Sequence, residues 1–236
     1  MYEIKKYKRL TDNIFLMDVY APRVAKKCLA GQFIILRVDE KGERIPLTVC
    51  DFDREKSTVT IVVQEVGAST YKLGKLREGD FIADFVGPLG NASELTDMTD
   101  EELKNKKIVF VAGGVGTAPV YPQVKYLSER GVKADVIVGA KNKDLLILQT
   151  ELEKVAANVY VTTDDGSAGD KGLVTDKLKK LVESGKKYDL CVAIGPVIMM
   201  KFVAKLTEEL GIKTVVSMNP IMVDGTGMCG ACRVIV

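Results

Sequence analysis

The sequence predicts an all-β barrel domain, then an α/β domain with a parallel sheet, then a short C-terminal tail with two closely spaced cysteines. Three observations predict this order. Short strand-like segments fill the first part of the chain, apolar strands alternate with helical stretches in the second, and a Cys-x-x-Cys pair follows a glycine-rich stretch at the end. We place the boundaries at residues 1–98, 99–217 and 218–236.

The composition is that of a folded protein with ordinary charge. Its 236 residues are 47% hydrophobic and 28% charged, enough for two modest domains with cores of their own. A net charge of +2 gives no broad electrostatic affinity for nucleic acid, and no apolar run reaches the roughly 18–20 residues of a membrane span. The first residues lack an apolar signal-peptide core, so we expect a cytoplasmic protein that binds neither nucleic acid nor membrane.

Two residue types are absent, and the cysteines are few. Without any His, the chain lacks Ser-His triads and His metal ligands, so its chemistry should depend on a cofactor. There is no Trp. The odd count of five cysteines argues against a disulfide framework. Cys28, Cys50 and Cys191 lie alone in apolar surroundings and are predicted to be core residues.

The first 98 residues are predicted to form a small closed barrel. Six short segments rich in β-branched and aromatic residues are separated by polar turns. These segments are residues 2–10, 13–20, 32–38, 47–51, 58–65 and 81–86. A helix is predicted at residues 71–76, and the charged, threonine-rich stretch 93–106 is predicted to be a linker.

The second domain is predicted to be a parallel sheet covered by helices on both faces. Its strands are predicted at residues 108–111, 134–138, 159–162, 190–194 and 214–216. Helices are predicted between them at residues 120–130, 145–155, 174–183 and 197–210. Strict alternation of strand and helix is typical of this architecture.

A glycine-rich loop directly follows the first strand of the α/β domain. It consists of Gly113, Gly114, Val115, Gly116, Thr117, Ala118 and Pro119. A strand, a glycine turn and a helix start together present free backbone N–H groups to a pyrophosphate, and glycine permits its close approach. Pro119 suits the first turn of the helix. The alternative is a tight connection without a ligand, because short glycine motifs are weak evidence.

Two later loops could address a nicotinamide nucleotide. Asp164, Asp165 and Gly166 follow the 159–162 strand, where carboxylates can accept hydrogen bonds from ribose hydroxyls and repel a 2′-phosphate. The loop contains no Arg, so we expect NAD(H) rather than NADP(H). These aspartates precede the 174–183 helix by too many residues to cap it. Gly195, Pro196 and Met199 form the second loop; its methionines could equally be helix packing.

Three barrel segments carry residues suited to a phosphorylated cofactor. Arg44 stands in the motif Arg-x-Pro-Leu-Thr, where Arg offers a fork of donors to phosphate and Thr48 one hydroxyl to a ring heteroatom. Small residues in Val66-Gly67-Ala68-Ser69-Thr70 open a helix and offer a second anion site. The segment Gly87-Pro88-Leu89-Gly90-Asn91 closes the barrel. Taken singly, each is more simply a turn.

The C-terminal tail has the spacing of an iron–sulfur site. Asp224 precedes Cys229 by five positions, and Cys232 follows three later, whereas ferredoxin-like 2Fe-2S sites use Cys-x4-Cys-x2-Cys and a distant fourth Cys. Asp224 therefore stands where the first ligand would be. We expect the three side chains to converge on one point and a fourth Cys to lie beyond Val236. The alternatives are a glycine-rich turn with two free thiols, or a Cys-x-x-Cys redox pair.

In this order, these motifs resemble those of the ferredoxin–NADP reductase superfamily. Within it, the chain is similar to two kinds of electron-transfer subunit, that of dihydroorotate dehydrogenase and the small subunit of NADH-dependent reduced ferredoxin:NADP oxidoreductase, also called sulfide dehydrogenase β subunit. The motif Met-Val-Asp-Gly-x-Gly-Met-Cys-Gly-x-Cys, with Asp in the first ligand position, favours the second. Ile194 stands where relatives have a Cys facing the nicotinamide, which argues against a thiol in hydride transfer.

The resemblance implies FAD, NAD(H) and a 2Fe-2S cluster held by Asp224, Cys229 and Cys232. It implies flavin contacts at Arg44, Pro46, Leu47, Thr48, Val63, Gly67, Ser69 and Thr70. It implies nicotinamide-nucleotide contacts at Gly87, Pro88, Gly113, Gly114, Val115, Gly116, Thr117, Ala118, Pro119, Asp164, Asp165, Gly166, Gly195, Pro196 and Met199. No side chain would act as a catalytic residue, since the cofactor would carry the hydride.

The function predicted from this resemblance is that of an electron-transfer flavoprotein subunit. It would pass electrons between NAD(H), FAD and a 2Fe-2S cluster to or from a larger flavin and iron–sulfur partner subunit, in electron bifurcation that involves ferredoxin indirectly. One alternative is the dihydroorotate dehydrogenase electron-transfer subunit. An alternative of another class is a non-catalytic scaffold that senses the nucleotide.

Overall fold

The computed structural model describes residues 1–235. The chain divides into two compact units. The first combines Met1–Thr96 with the C-terminal residues from Asn219, and the second is Asp97–Met218. The predicted boundaries stay a prediction, but the C-terminal segment groups with the first unit rather than standing apart.

The first unit is built on a seven-stranded antiparallel sheet with the order β6-β1-β2-β5-β4-β3-β7. Its strands are β1 Tyr2–Thr11, β2 Ile14–Tyr20, β3 Phe33–Arg37, β4 Arg44–Asp53, β5 Thr58–Gln64, β6 Phe81–Ile82 and β7 Asp84–Leu89. The two end strands β6 and β7 are consecutive in the chain, separated only by Ala83. The sheet therefore curls into a nearly closed barrel, as predicted, although the segment 81–86 is two strands rather than one.

The barrel interior is apolar and completely shielded from solvent. Phe15, Met17, Leu36 and Phe85 are all buried there. Each such side chain contributes about 1.5–3 kcal/mol relative to an exposed position. Cys28 is part of the same core, and burial raises the pKa of its thiol to about 11. Cys50 is buried too, which agrees with the prediction that both cysteines are core residues.

Two helices interrupt the strands of the first unit: α1 is Pro22–Lys27 and α2 is Ala68–Leu73. Helix α1 was not predicted, because its six residues contribute only Val24 and Ala25 to the core. Helix α2 begins three residues earlier than predicted, and its start is stabilised by Thr70, whose hydroxyl accepts the Gly67 N–H at 3.0 Å. Polar residues at such a cap look like loop residues in the sequence.

The stretch predicted to be a linker is structured. It contains a 3-10 turn at Glu94–Asp97 and helix α3 at Asp100–Lys104. Thr99 caps α3 by accepting the Glu102 N–H, and the Glu102 carboxylate accepts the Thr99 N–H in return. Leu95 and Leu103 are buried. Two apolar residues among many charges are too few to produce a clear helical period, which explains the wrong prediction.

The second unit is a six-stranded parallel sheet with the order β11-β10-β9-β8-β12-β13. Its strands are β8 Ile108–Gly113, β9 Asp135–Ala140, β10 Asn158–Thr163, β11 Asp170–Lys171, β12 Leu190–Ile194 and β13 Lys213–Val216. Its other helices are α4 Thr117–Glu129, α5 Gln149–Val155, α6 Val174–Glu183 and α7 Val197–Glu209. The prediction of a parallel α/β sheet is confirmed; the short β11 was not predicted.

Two helix starts in the second unit differ from the prediction: α4 begins three residues earlier, at Thr117, and α5 begins later. A helix was predicted from residue 145, but Lys143–Leu145 forms a 3-10 turn and α5 starts only at Gln149. Leu148, the residue before α5, has a left-handed backbone with φ of 56°. An apolar run such as Leu145–Leu148 reads as helix in the sequence, whereas this local backbone interrupts it.

The strand order places a topological switch point between β8 and β12. From β8 the chain proceeds outward through β9 and β10, then returns to place β12 on the other side of β8. Ligands of open parallel sheets bind at the carboxyl ends of the two strands that flank this point. In the register of the sheet, Ile194 of β12 lies opposite Ala112 of β8.

No helix among residues 1–235 is long and apolar enough to cross a lipid bilayer.

Candidate functional site

The glycine-rich loop lies at the carboxyl end of β8, on the switch point. Gly113 ends the strand, Gly114–Gly116 forms a 3-10 turn, and α4 begins at Thr117. The buried Thr117 hydroxyl donates to the Gly114 carbonyl at 2.8 Å, which fixes the turn. No side chain caps the start of α4. The Thr117 N–H already donates to the Gly114 and Val115 carbonyls, so an anion would have to use N–H groups of the glycine turn ahead of α4, at the end of the helix where the dipole favours it.

The three glycines of this loop have different structural roles. An added Cβ on Gly116 would strike the Ile194 carbonyl, and one on Gly113 would lie 3.0 Å from Pro196 Cδ. Both glycines are therefore required for protein packing alone. Gly114 has φ of +55° and no atom within 4 Å of an added Cβ, so it borders open space. Of the three, only Gly114 leaves room for close approach of a ligand to the backbone.

The second predicted loop packs directly against the first. Gly195 follows β12, and an added Cβ there would lie 3.0 Å from the Gly113 N atom and 2.8 Å from Met199 Cε. Pro196 precedes α7, which also starts without a side-chain cap. Two glycine-rich turns on neighbouring strands thus form one backbone surface with two uncapped helix starts. Met199 is half-buried in this packing, which accounts for it without a ligand.

The remaining residues of the glycine loop are mostly inside the protein. Ala118 is buried within the first turn of α4, and Val115 and Pro119 are half-buried. Pro119 is the third residue of α4, where its missing N–H removes no helical hydrogen bond. Their side chains therefore position the loop, and any contact with a phosphate would come from backbone N–H groups.

The two aspartates after β10 differ in what they contact. The Asp165 carboxylate accepts the Ser167 N–H at 2.9 Å and the Ser167 hydroxyl at 2.6 Å. These donors lower the pKa of Asp165. The Ser167 hydroxyl in turn accepts the Lys143 N–H at 2.8 Å, which ties this loop to the turn after β9. Asp164 is exposed, and its carboxylate has no partner within the described part of the chain.

Neither aspartate caps a helix. The start of α6 is capped by its own Asp176, which accepts the Leu173 N–H at 2.9 Å. Gly166 turns the loop with φ of +79°. Asp165 is thus a loop-building residue, and Asp164 is a free carboxylate at the carboxyl edge of the sheet. The sequence pattern Asp-x-Ser is typical of such a turn and could have separated the two roles in advance.

The barrel strand β4 presents an exposed polar face. Arg44, Pro46 and Thr48 alternate with half-buried Ile45 and Leu47, so these three side chains point outward. Residues 44–48 pair with β3 alone, because β5 pairs with β4 only from Val49 onward. This half of β4 therefore has a free backbone edge beside its polar face, which suits a planar, hydrogen-bonding ligand.

Arg44 is loosely held on this face. Its side chain is 61% exposed, and its nearest carboxylate oxygen, on Asp84, lies 3.5 Å away and is shared with Arg37 at 2.7 Å. The guanidinium is therefore free to reorient toward a phosphate. Val63 differs from the other predicted flavin residues, because its side chain is 1% exposed inside the barrel core. Only its backbone could contact a ligand.

The other predicted residues of the first unit have clear structural roles. The Thr70 hydroxyl accepts the N–H groups of Val66 and Gly67 at 3.0 Å, so it is occupied as a cap, whereas half-buried Ser69 has no such bond. Gly67 has no neighbour within 4 Å of an added Cβ. Gly87 and Pro88 lie in β7, where a Cβ on Gly87 would press against Ile34 Cγ2 at 2.7 Å.

The C-terminal residues do not assemble a metal centre in residues 1–235. No group of three or more His, Cys, Asp or Glu side chains there is arranged to hold a metal ion. Asp224 instead accepts the Thr226 N–H at 2.8 Å and the Cys229 N–H at 3.0 Å, and these bonds lower its pKa. Cys229 is exposed and Cys232 half-buried. The donor types suit iron, but the expected convergence of the three side chains is absent.

Comparison with known proteins gives a consistent result. The family model of the oxidoreductase NAD-binding domain matches residues 110–205. The chain is 46% identical to the dihydroorotate dehydrogenase B (NAD(+)) electron transfer subunit homolog of Thermotoga maritima, covering 99% of this chain and 80% of that protein. It is 34% identical to the dihydroorotate dehydrogenase B (NAD(+)) electron transfer subunit of Fusobacterium nucleatum, covering 91% and 83%.

A solved structure is similar over the same length. It is that of an NADH-dependent reduced ferredoxin-NADP oxidoreductase studied for flavin-based electron bifurcation. It shares 45% sequence identity with this chain and superposes with a TM-score of 0.88, over 99% of this chain and 81% of the other.

Proposed function

The chain belongs to the family of dihydroorotate dehydrogenase B (NAD(+)) electron transfer subunits, and on that premise we propose that it is a flavoprotein subunit that takes electrons from NADH and delivers them to a larger partner. Its second unit contains an oxidoreductase NAD-binding domain. The observation that carries the proposal is the meeting of two glycine-rich turns at the switch point of the parallel sheet. That surface combines an open backbone at Gly114 with an uncapped helix start.

The nucleotide would be held mainly by backbone groups. The N–H groups of the glycine turn that leads into α4 would bind the pyrophosphate, since phosphate at such a terminus needs no cationic side chain. Asp164 would accept hydrogen bonds from the adenosine ribose and repel a 2′-phosphate. Asp165 would hold the loop in place through Ser167. The preference for NADH over NADPH therefore rests on Asp164.

The barrel residues fit a flavin. Arg44 would bind a phosphate, and the free edge of β4 with the Thr48 hydroxyl would bind the ring system. When bound, FAD accepts a hydride from NADH and can release the electrons one at a time. Support for FAD comes from the polar face of β4 and from the similarity to the electron-bifurcating oxidoreductase.

The iron–sulfur cluster stays a prediction from the sequence. Two thiols and one carboxylate supply suitable donors, but they do not form a metal-holding group among the described residues, so we assign no electron-transfer step to a cluster. A larger partner subunit is proposed because the relatives are electron-transfer subunits. Among possible partners we favour that of a bifurcating NADH-dependent ferredoxin:NADP oxidoreductase, because the C-terminal motif with Asp224 in the first ligand position favours it and the chain shares 45% identity with such a structure.

Anaerobic reconstitution with FAD tests the proposal. The purified chain should retain FAD after desalting, and NADH should bleach the flavin absorbance near its visible maximum. NADPH should bleach it more slowly. A chain that binds NADH but retains no flavin would support the alternative of a non-catalytic nucleotide-sensing scaffold, and it would refute the proposed activity.

A further inference from the structure

The amino ends of the central strands in the second unit carry a cluster of lysines, at the opposite edge from the glycine loops. Lys106 and Lys107 precede β8, Lys133 precedes β9, and Lys187 precedes β12. Because these strands are neighbours, the lysines surround one open groove of about 380 Å³. The groove is lined by Lys106, Lys107, Ile108, Lys133, Asp135, Gly185, Lys186, Lys187 and Tyr188.

The backbone that carries these lysines is firmly held. The Asp189 carboxylate accepts the Lys107 N–H at 2.7 Å, and the Asp189 N–H donates to the Lys107 carbonyl at 2.8 Å. The buried Asp135 carboxylate accepts from Lys186 Nζ at 2.5 Å and from the Tyr188 hydroxyl at 2.7 Å. These bonds tie the chain segments around the groove together, and Lys107, Lys133 and Lys187 are exposed on them.

The groove carries a net positive charge. Lys106, Lys107, Lys133 and Lys187 form no ion pair with any residue that the structure describes. Asp135 is neutralised by Lys186, and Asp189 is engaged by a backbone N–H. Glu102 is close enough to Lys106 for the two charges to interact. The residues that line the groove nevertheless include five lysines and one aspartate. They form a patch suited to a negatively charged partner.

The surroundings favour an acidic protein surface over a compact phosphate ligand. Helices α4 and α6 both end at this edge, at Glu129 and Glu183, so neither offers the positive end of its dipole to a compact phosphate. No uncapped helix start or glycine nest supplies backbone donors here. Lysines on flexible stems, spread around an open groove, match dispersed carboxylates and steer their approach.

We propose that this lysine groove is a reversible docking surface for an acidic protein. It faces away from the carboxyl edge where the nucleotide would bind, so docking need not block NADH. The proposal is independent of the proposed function, because it uses no residue of the nucleotide or flavin sites.

The test uses the intact chain and a labelled poly-L-glutamate peptide of about 20 residues as probe, with binding measured by fluorescence anisotropy at low salt. The triple variant K107E/K133E/K187E should bind at least tenfold more weakly, since three attractive charge contacts would become repulsive. The control K8E/K27E/K75E carries the same change of six charges on exposed lysines of the first unit, and it should bind within about twofold of the unmodified chain.

Further arms separate the remaining explanations. The neutral variant K107Q/K133Q/K187Q should lose an intermediate amount of peptide affinity. Unchanged circular dichroism of both triple variants would exclude a folding defect as the cause. Raising the salt from 50 to 500 mM should abolish the difference in peptide affinity between the unmodified chain and the reversed-charge variant. Equal losses in the two reversed variants would mean that only net charge matters and would overturn the proposal. So would binding of inorganic pyrophosphate to the groove in preference to the peptide.

Discussion

At the scale of single residues, Gly114 and Gly131 share the same left-handed backbone conformation at opposite ends of α4. Both have positive φ, +55° and +74°, and neither has an atom within 4 Å of an added Cβ. Gly114 precedes the start of α4 at the proposed nucleotide surface, whereas Gly131 follows the end of α4. An alanine at either position costs about 1–2 kcal/mol of folding free energy for its left-handed backbone. The two glycines therefore form a matched pair.

Gly114→Ala should weaken NADH binding, because its methyl group enters the space that the phosphates would occupy. We expect the KM for NADH in dye reduction to rise about tenfold, equivalent to about 1.4 kcal/mol. Gly131→Ala should lose similar stability in urea denaturation and keep the original KM. An unchanged KM in Gly114→Ala would place the nucleotide elsewhere.

Asp164 and Asp165 are adjacent but should respond differently to mutation. Asp164→Ser removes the free carboxylate, so the ratio of kcat/KM for NADH to that for NADPH should fall roughly tenfold, which corresponds to about 1.4 kcal/mol. Asp165→Ser removes the acceptor of two Ser167 bonds, so it should lower thermal stability and leave the preference largely intact. Ser167→Ala should behave like Asp165→Ser. The measurement is the ratio of kcat/KM for the two nucleotides; if Asp165→Ser alone narrows it, the assignment is reversed.

Asp135 should make stability depend on acidic pH. Burial raises the pKa of this carboxyl, but Asn158, Lys186 and Tyr188 together outweigh burial and hold it below its ordinary value. A carboxyl with a lowered pKa stabilises the fold above its unfolded pKa of about 4, and this contribution is lost as the pH falls through the folded pKa. The stabilisation should therefore be complete at pH 7 and diminish below pH 4.

Asp135→Asn should accordingly lower the free energy of unfolding by about 2 kcal/mol at pH 7. This is less than the loss expected for a fully buried ion pair, because Lys186 remains partly exposed. Urea denaturation at pH 7 and pH 3 should show the difference from the unmodified chain shrinking at the lower pH. Asp170→Asn is the control, since Asp170 pairs with Lys177 near the surface and should contribute little. A pH-independent difference would refute the linkage.

At the scale of elements, β4 changes character halfway along its length. Residues 49–53 pair with β5, whereas residues 44–48 leave that edge free. Residues 49–53 therefore have a structural role, whereas residues 44–48 are available to a ligand. The motif Arg-x-Pro-Leu-Thr is residues 44–48, and its proline lacks the N–H that pairing on both sides would need.

Arg44→Ala should weaken FAD retention, because the guanidinium would lose its phosphate partner. A charge-assisted bidentate contact contributes about 1.5–3 kcal/mol, so the Kd for FAD should rise roughly tenfold or more. Arg23→Ala is the control, since Arg23 is an exposed arginine of α1 at a distance in sequence from the motif. Flavin fluorescence quenching measures both. Equal Kd values for the two variants would show that Arg44 does not contact the flavin.

At the scale of the whole molecule, the two units have separate cores. One core contains Phe15, Ile61 and Phe85 of the first unit, and another contains Val111, Leu178 and Val203 of the second. A ligand stabilises the structure that binds it, by about 2.7 kcal/mol at a concentration of 100 times its Kd. Because each unit has its own core, a ligand that binds one unit can raise the stability of that unit alone.

FAD and NAD⁺ should therefore stabilise different units. In calorimetry we expect two unfolding transitions, one raised by FAD and the other by NAD⁺. Ile61→Ala should lower the FAD-dependent transition, and Val203→Ala the NAD⁺-dependent one. A single transition moved by either ligand would show that the units unfold together.

Much of this architecture is determined by local sequence. The strands of both sheets follow from β-branched and apolar runs, the helices α6 and α7 from their apolar periodicity, and the loop after β8 from its three glycines. These features depend on neighbouring residues, so they can be predicted without knowing the fold. Short elements such as α1 and α3 could not be predicted, because one or two buried residues produce no periodic signal.

Tertiary structure alone decided the roles of particular residues. Gly113 and Gly116 are needed because the end of β12 and the turn after it bring Pro196 against the first and Ile194 against the second, from about 80 positions away in the sequence. Val63 is closed to solvent, and β4 has a free edge, because of how strands pair across the barrel. Pairing and packing between distant segments determine which side chains remain available, and no local pattern encodes that.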